Sequence, residues 1–193
     1  VTHITPFLFP LALGGILLLL RWMRRRYKPG HRRRVRAAQR ALQRLQAIGT
    51  DAQRMAYLRK IDPFTFEELV LEALERRGHR IKRNTRYTGD GGIDGQCWIK
   101  GRHVLVQSKR YRNHINPAHV RAFQRILTER NCHGLFVHTG RTGKASRNLA
   151  QNDPRLTILS GRNLVRLIMP KPSNNRATTR VDENRPSVQQ TVI

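Results

Sequence analysis

The sequence predicts an α/β fold, with helices packed around a mixed central sheet. Three observations carry that expectation. Segments of helical period and of alternating period follow one another as helix, strand, hairpin, helix, strand, helix, strand. The helical segments are apolar on one face only, as elements that cover a sheet must be. The stretch at 87–111, YTGDGGIDGQCWIKGRHVLVQSKRY, reads as a Gly-rich turn, a strand holding Asp94, a tight turn at Lys100-Gly101, and a second strand holding Gln107 and Lys109.

Composition bounds the function. A chain of 193 residues is one modest domain plus accessories. Its formal net charge is +26, from 38 Lys+Arg against 12 Asp+Glu. So basic a chain suits a polyanion, either nucleic acid or an anionic lipid surface. A solvated basic surface without a partner is the bland alternative, but most of the excess is Arg, the side chain suited to phosphate. Cys97 and Cys132 have neither metal-site spacing nor the number for a disulfide framework. The eight histidines show no ligand spacing such as HxxxH, so a zinc site is not expected.

Residues 4–20 are uncharged and mostly apolar, and with Trp22 and Met23 they nearly reach the ~20 residues that span a bilayer. Pro6, Pro10, Gly14 and Gly15 are tolerated in such a helix. A dense basic flank, RWMRRRYKPGHRRRVR, follows. The positive-inside rule places that flank in the cytoplasm. A cleavable signal peptide carries its charges before the apolar run, the opposite arrangement. Residues 1–23 are therefore expected to be a retained transmembrane anchor, single-pass in a bacterial inner (cytoplasmic) membrane. A signal peptide or a buried core helix is the alternative.

Residues 24–61 are expected to be a basic helical linker. Val35, Ala38, Leu42, Leu45 and Ile48 mark one apolar face, and Arg and Gln fill the other. Gly49 ends this helix, and Thr50 or Asp51 can cap a short second one. Contact with anionic lipid beside the anchor, self-association into a homodimer, a DNA-binding arm and a plain spacer are its candidate roles.

The globular domain is expected at 62–169. Residues 65–77 form a helix with Phe66, Leu69, Val70, Ala73 and Leu74 on its buried stripe and Gly78 at C′. Glu67 falls at the edge of the stripe, while Glu68 and Glu75 fall opposite. Glu67 is thus either a site residue or an ordinary first-turn glutamate favoured by the helix dipole. Residues 79–84 read as the first strand. The glycines of the following loop permit positive φ, and Asp90 reads as a turn residue. Asp94 lies in a strand, where an acidic residue is disfavoured, so either a site or an ion pair with an arginine must account for it.

In the strand HVLVQSK, Leu105, Gln107 and Lys109 share one face, and Val104, Val106 and Ser108 share the other. The hairpin brings Asp94 back towards Gln107 and Lys109. A carboxylate and an amide oxygen are hard ligands of the kind Mg²⁺ accepts, and a lysine beside them can polarise a water or stabilise a phosphoryl oxygen. Arg110, Tyr111 and Arg112 follow as candidate phosphate contacts, with Arg141 and Lys144 further on. Asn116 caps a helix from Pro117, with Val120, Phe123, Ile126 and Leu127 inward. Residues 134–138 and 156–159 are strands, 161–169 a last helix, and 170–193 a disordered polar tail. TGRTGKAS is not a P-loop, because His138 and Ala145 stand where Gly and Ser or Thr are needed. Asn113-His114 lacks the partner histidines of an HNH nuclease.

DGGIDG, then VQSKRY after a short hairpin, preceded by FEELVLEALERRGH, resembles the Mrr-type restriction endonuclease domain of the PD-(D/E)xK nuclease superfamily. The resemblance covers roughly residues 62–169. It implies a restriction-endonuclease-like, three-layer α/β sandwich that hydrolyses double-stranded DNA with Mg²⁺, or Mn²⁺ in its place. It implies that Asp94 and the Gln107 side-chain oxygen, with the Ser108 carbonyl, hold the metal. Lys109 then orients the attacking water, and Glu67, the Glu after Phe in the family helix, completes the site. Gln107 stands where the superfamily usually has an acidic residue, as in the Mrr branch. A catalytically silent, membrane-tethered DNA-binding module is the rival of a different class, and a scaffold using only anchor and basic helix is a third.

Overall fold

The computed structural model describes residues 29–84 and 91–170. The expected anchor at 1–23, Asp90 with its neighbours at 85–89, and the expected tail beyond Pro170 lie outside the described residues. Among the described residues no helix is long and apolar enough to cross a membrane.

The order of elements is α1 (Pro29–Ala47), α2 (Asp51–Leu58), α3 (Pro63–Arg76), β1 (Arg80–Arg83), β2 (Gly95–Ile99), β3 (Arg102–Lys109), α4 (Pro117–Glu129), β4 (His133–His138), α5 (Lys144–Asn152), β5 (Leu156–Leu159) and α6 (Gly161–Ile168). The five strands form one mixed sheet in the order β1-β2-β3-β4-β5. β1, β2 and β3 are antiparallel neighbours, while β3-β4 and β4-β5 are parallel. Lys100 and Gly101, both at positive φ (50° and 76°), close the β2-β3 hairpin; two such residues in succession match the twist of the strands they join.

Alternation along β3 builds the three layers. Val104 and Val106 face a core made with α1, α2, α3 and α6. Leu105 faces a second core with Phe123 and Leu127 of α4 and Phe136 of β4. The expected α/β sandwich with a mixed sheet is the fold observed.

Local signals set the helix ends. Asp62 caps α3 by accepting from the Thr65 N–H at 2.8 Å, with Pro63 in the first turn. At its other end His79 N–H bonds to Leu74 O and Gly78 N–H to Glu75 O, the paired bonds of a Schellman motif, with Gly78 at φ 85°. Thr50 and Gln53 form a reciprocal capping box on α2.

The largest departure from the sequence reading is α1. The helix expected as a linker packs lengthwise on α3, and Ala38, Ala41, Leu42 and Leu45 enter the main core. Packing therefore runs unbroken across the boundary expected at residue 62. With its apolar face against protein, α1 does not have that face to lay into lipid. Glu68, expected on the exposed side of α3, is only 3 % exposed because α1 covers it. Its carboxylate meets His31 of α1 at 3.1 Å and Arg83 of β1 at 3.3 Å. Arg83 also reaches Glu72 and Glu75. Burying carboxylates is costly unless they are paired, and these partners from two neighbouring elements supply the pairing.

Candidate active site

Glu67 comes from α3 and Lys109 from the end of β3. Asp94 precedes β2 by one residue, not within the strand as expected. Its N–H donates to Val106 O at 2.9 Å, while the next residue, Gly95, also lies opposite Val106 in the ladder. Two residues facing one is the arrangement of a β-bulge, which re-aims a side chain at a strand end. The Asp94 carboxylate accepts from the Ser108 backbone N–H. Burial, the largest influence, and the neighbouring charge of Glu67 push its pKa up to about 8, against the Ser108 hydrogen bonds and Lys109, which lower it.

Glu67 lies in the first turns of α3 and is half-buried. Burial raises its pKa to about 7, opposed first by Lys109 and then by Arg34, while Glu68 and Asp62 add to the rise. The charges of these two carboxyls and one ammonium thus influence one another. Lys109 ends β3 in register with His138 of β4. His138 is fully buried, and its pKa is pushed down to about 4 by that burial. It stays neutral and adds no positive charge beside Lys109.

Gln107 is 4 % exposed. Its Nε2 donates to Gly92 O at 2.8 Å, which fixes the orientation of the amide. Among the described residues its Oε1 is buried without a hydrogen-bond partner. Gly92 sits at φ 80°, and a Cβ there would lie 2.6 Å from Gln107 Nε2. The turn must approach this amide as bare backbone.

Among the described residues no three His, Cys, Asp or Glu side chains cluster as a metal group. The oxygen donors are instead two carboxyls and the orphaned amide oxygen. All are hard donors, and burial raises the pKa of Glu67 to about 7 and of Asp94 to about 8. This donor set fits a divalent ion of the Mg²⁺ type.

The segment after β3 is pinned rather than free. Tyr111 N–H donates to Thr139 Oγ1 at 2.9 Å, and that hydroxyl donates to Tyr111 O at 2.7 Å. Arg141 and Asn113–Ile115 exchange backbone bonds. Gly140 allows the close approach, since a Cβ there would lie 2.2 Å from Asn113 O.

The expected phosphate contacts divide. Arg110 turns inward, donating to Arg59 O at 2.8 Å. Tyr111 is half-buried, with its hydroxyl against His119 Nδ1. Arg112, Arg141 and Lys144 are exposed. Arg34 of α1, absent from the sequence reading of the site, lies over the Phe64 ring of α3, and its charge favours the ionised form of Glu67. Its signal was an arginine on the packed side of an amphipathic helix, one turn before Ala38.

A family model described as a restriction endonuclease, Mrr_cat, matches residues 58–168. No curated protein and no solved structure matches the chain.

Proposed function

The chain belongs to the Mrr_cat family of restriction endonucleases, and on that premise we propose a metal-dependent endodeoxyribonuclease that hydrolyses phosphodiester bonds of double-stranded DNA. The observation that supports the metal-dependent part is the mutual electrostatic influence of Asp94, Glu67 and Lys109, with the buried Gln107 oxygen two residues before Lys109 on the same strand as a further hard donor. Asp94 and Gln107 Oε1, with the Ser108 carbonyl, would hold Mg²⁺ or Mn²⁺. The ion when bound supplies Lewis-acid stabilisation of the phosphoryl oxygens and a more acidic water. Lys109 orients the attacking water and shares the charge developing on the phosphate. Glu67, with a pKa of about 7, is placed to accept a proton near neutral pH. The exposed Arg112, Arg141 and Lys144 would hold flanking phosphates.

The raised carboxyl pKa values give a direct test. A carboxyl must lose its proton to bind a cation. Asp94 and Glu67 release theirs as pH rises through about 7 to about 8. Mn²⁺ affinity is therefore expected to climb across this window, by roughly tenfold per proton displaced per pH unit below the pKa. Calorimetric titrations at pH 6, 7 and 8 would measure it. An affinity flat across this range would argue against a carboxylate-held metal.

We also propose that the apolar run at 4–20 and its basic flank attach the nuclease to the inner membrane, with the catalytic domain in the cytoplasm. Full chain expressed in bacteria should then remain in the membrane fraction through an alkaline wash and enter solution with detergent. Release by alkali alone would rule out a spanning anchor.

A further inference from the structure

The two faces of the sheet are covered unequally. On one face Ile81, Cys97 and Ile99 of β1 and β2 pack into the main core beneath α3. On the other, the core under α4 draws on β3, β4 and β5 and, among the described residues, on none from β1 or β2. The register sets Arg80 beside Trp98 and Lys82 beside Gln96, with His103 of β3 on the far side of Trp98. Alternation puts all five on this second face. Arg80 and Lys82 are exposed there, and the other three are half-buried.

Arg80 and His103 flank the indole. The Arg80 guanidinium carbon lies 4.8 Å from the centre of the Trp98 ring. The His103 ring centre lies 5.4 Å from that of Trp98, with the planes tilted by 32°. His103 Nε2 donates to Gln96 Oε1 at 2.9 Å, which holds the far end of the row. A guanidinium over an indole uses its flat face, while its N–H donors lie in the plane and match phosphate oxygens in pairs. Arg83, on the opposite face of β1, reaches Glu68, Glu72 and Glu75. Among the described residues Arg80 and Lys82 pair with no carboxylate. β1, β2 and β3 contain no Asp or Glu, so the positive charge of this face is not offset from within the strands.

We propose that DNA duplex flanking the cut rests on this open face, with Arg80 and Lys82 on its phosphates and Trp98 holding the Arg80 guanidinium in place. The proposal rests on the nuclease reading for its substrate and carries the contact surface beyond the site. Two observations favour DNA as the occupant. A cationic face without internal carboxylates complements a polyanion. The face also continues towards the site, because His103, Gln107 and Lys109 alternate onto the same side of β3. From His103 to Gln107 the strand advances roughly 13 Å. That is about four base pairs at about 3.4 Å each, so one duplex spans both.

The experiment uses the full-length chain in neutral detergent and compares wild type with the double variant Arg80→Ala/Lys82→Ala. Duplex affinity is measured in EDTA over a range of salt, and thermal melting checks the fold. The double variant should melt as wild type does, since both side chains are exposed. Its salt slope, the fall of log affinity with log salt, should be shallower by about 1.8, for two phosphate contacts of about 0.9 each. Trp98 gives a second readout that does not depend on those variants. In a Trp22→Phe chain it is the sole tryptophan, and duplex DNA should shield it from quenching by acrylamide. A folded double variant with the wild-type slope, or a Trp98 as open to acrylamide with DNA as without, overturns the proposal. Plasmid nicking by the wild type then shows that the nuclease reading still stands. A wild type that does not nick, but whose slope falls in the double variant and whose Trp98 is shielded, supports the surface and fails the nuclease reading. Micelles doped with phosphatidylglycerol or with phosphatidylcholine test the other polyanion. A double variant that keeps the DNA slope but loses a preference for phosphatidylglycerol makes the face a lipid surface and overturns the proposal. A wild type that binds no DNA overturns both readings.

Discussion

A fragment beginning at residue 62 is expected not to fold, although it holds nearly all of the family match. The fragment lacks α1 and α2. Leu42, Leu45, Met55 and Leu58 from these helices are at most 7 % exposed. Burying each contributes about 1.5–3 kcal/mol, so their removal costs roughly 6–12 kcal/mol. Whole domains of this kind are stable by only about 5–15 kcal/mol. The same cut strips His31 from Glu68 and leaves that carboxylate uncovered on α3. It also removes Arg59, whose Nε donates to Thr139 O and whose carbonyl receives Arg110, so the segment after Lys109 loses its anchor to α2. Melting curves of 62–169 and of 29–169 measure the effect. The longer fragment should unfold in one cooperative transition and the shorter should show none. Matching transitions would mean that α1 and α2 merely rest on a self-sufficient domain.

Asp94→Ala is expected to abolish cleavage while leaving DNA binding largely intact. The carboxylate is buried, accepts the Ser108 N–H, and interacts with both Glu67 and Lys109. Removing it deletes the charged donor of the proposed metal set and leaves Gln107 Oε1 as a neutral remainder. A loss of about 10³-fold or more follows when catalysis depends on such preorganised charge. The exposed arginines and Lys144 are untouched, so affinity for DNA and its salt dependence should change little. Asp94 is also destabilised in its ionised form by burial, so the variant should melt no lower than wild type in the absence of metal. Cleavage, binding and melting measured on one preparation separate these outcomes. Cleavage that survives in Asp94→Ala would place the chemistry elsewhere in the domain.

Much of this arrangement was legible in the sequence because it is local. The stripe on α3, its Asp62-Pro63 start and Gly78 stop, the Lys100-Gly101 turn, and the run HVLVQSK are each specified by residues within a few positions of one another. The polar side of α3 was not legible. Glu68 and Glu72 have the same spacing whether they face water or a second helix, and their partners His31, Gln39 and Arg83 lie far off in sequence or on another element. The apolar face of α1, not its basic face, decides where the helix goes. Asp94 was placed in the strand because period-two counting does not register a bulge. Arg110 reads as a phosphate contact in the sequence for a related reason. Charge shows which side chains suit phosphate, but only packing shows which of them is turned to the backbone of Arg59.

The central claim is that the Asp94, Gln107 and Lys109 site hydrolyses DNA with a divalent metal. Nicking of supercoiled plasmid by the full chain tests it most directly, in Mg²⁺, in Mn²⁺ and in EDTA, with Lys109→Ala beside the wild type. The expected result is nicking in either metal, none in EDTA, and none from the lysine variant. No nicking of modified or unmodified plasmid, with tight and salt-sensitive binding, would contradict it and leave a DNA-binding module built on a nuclease fold.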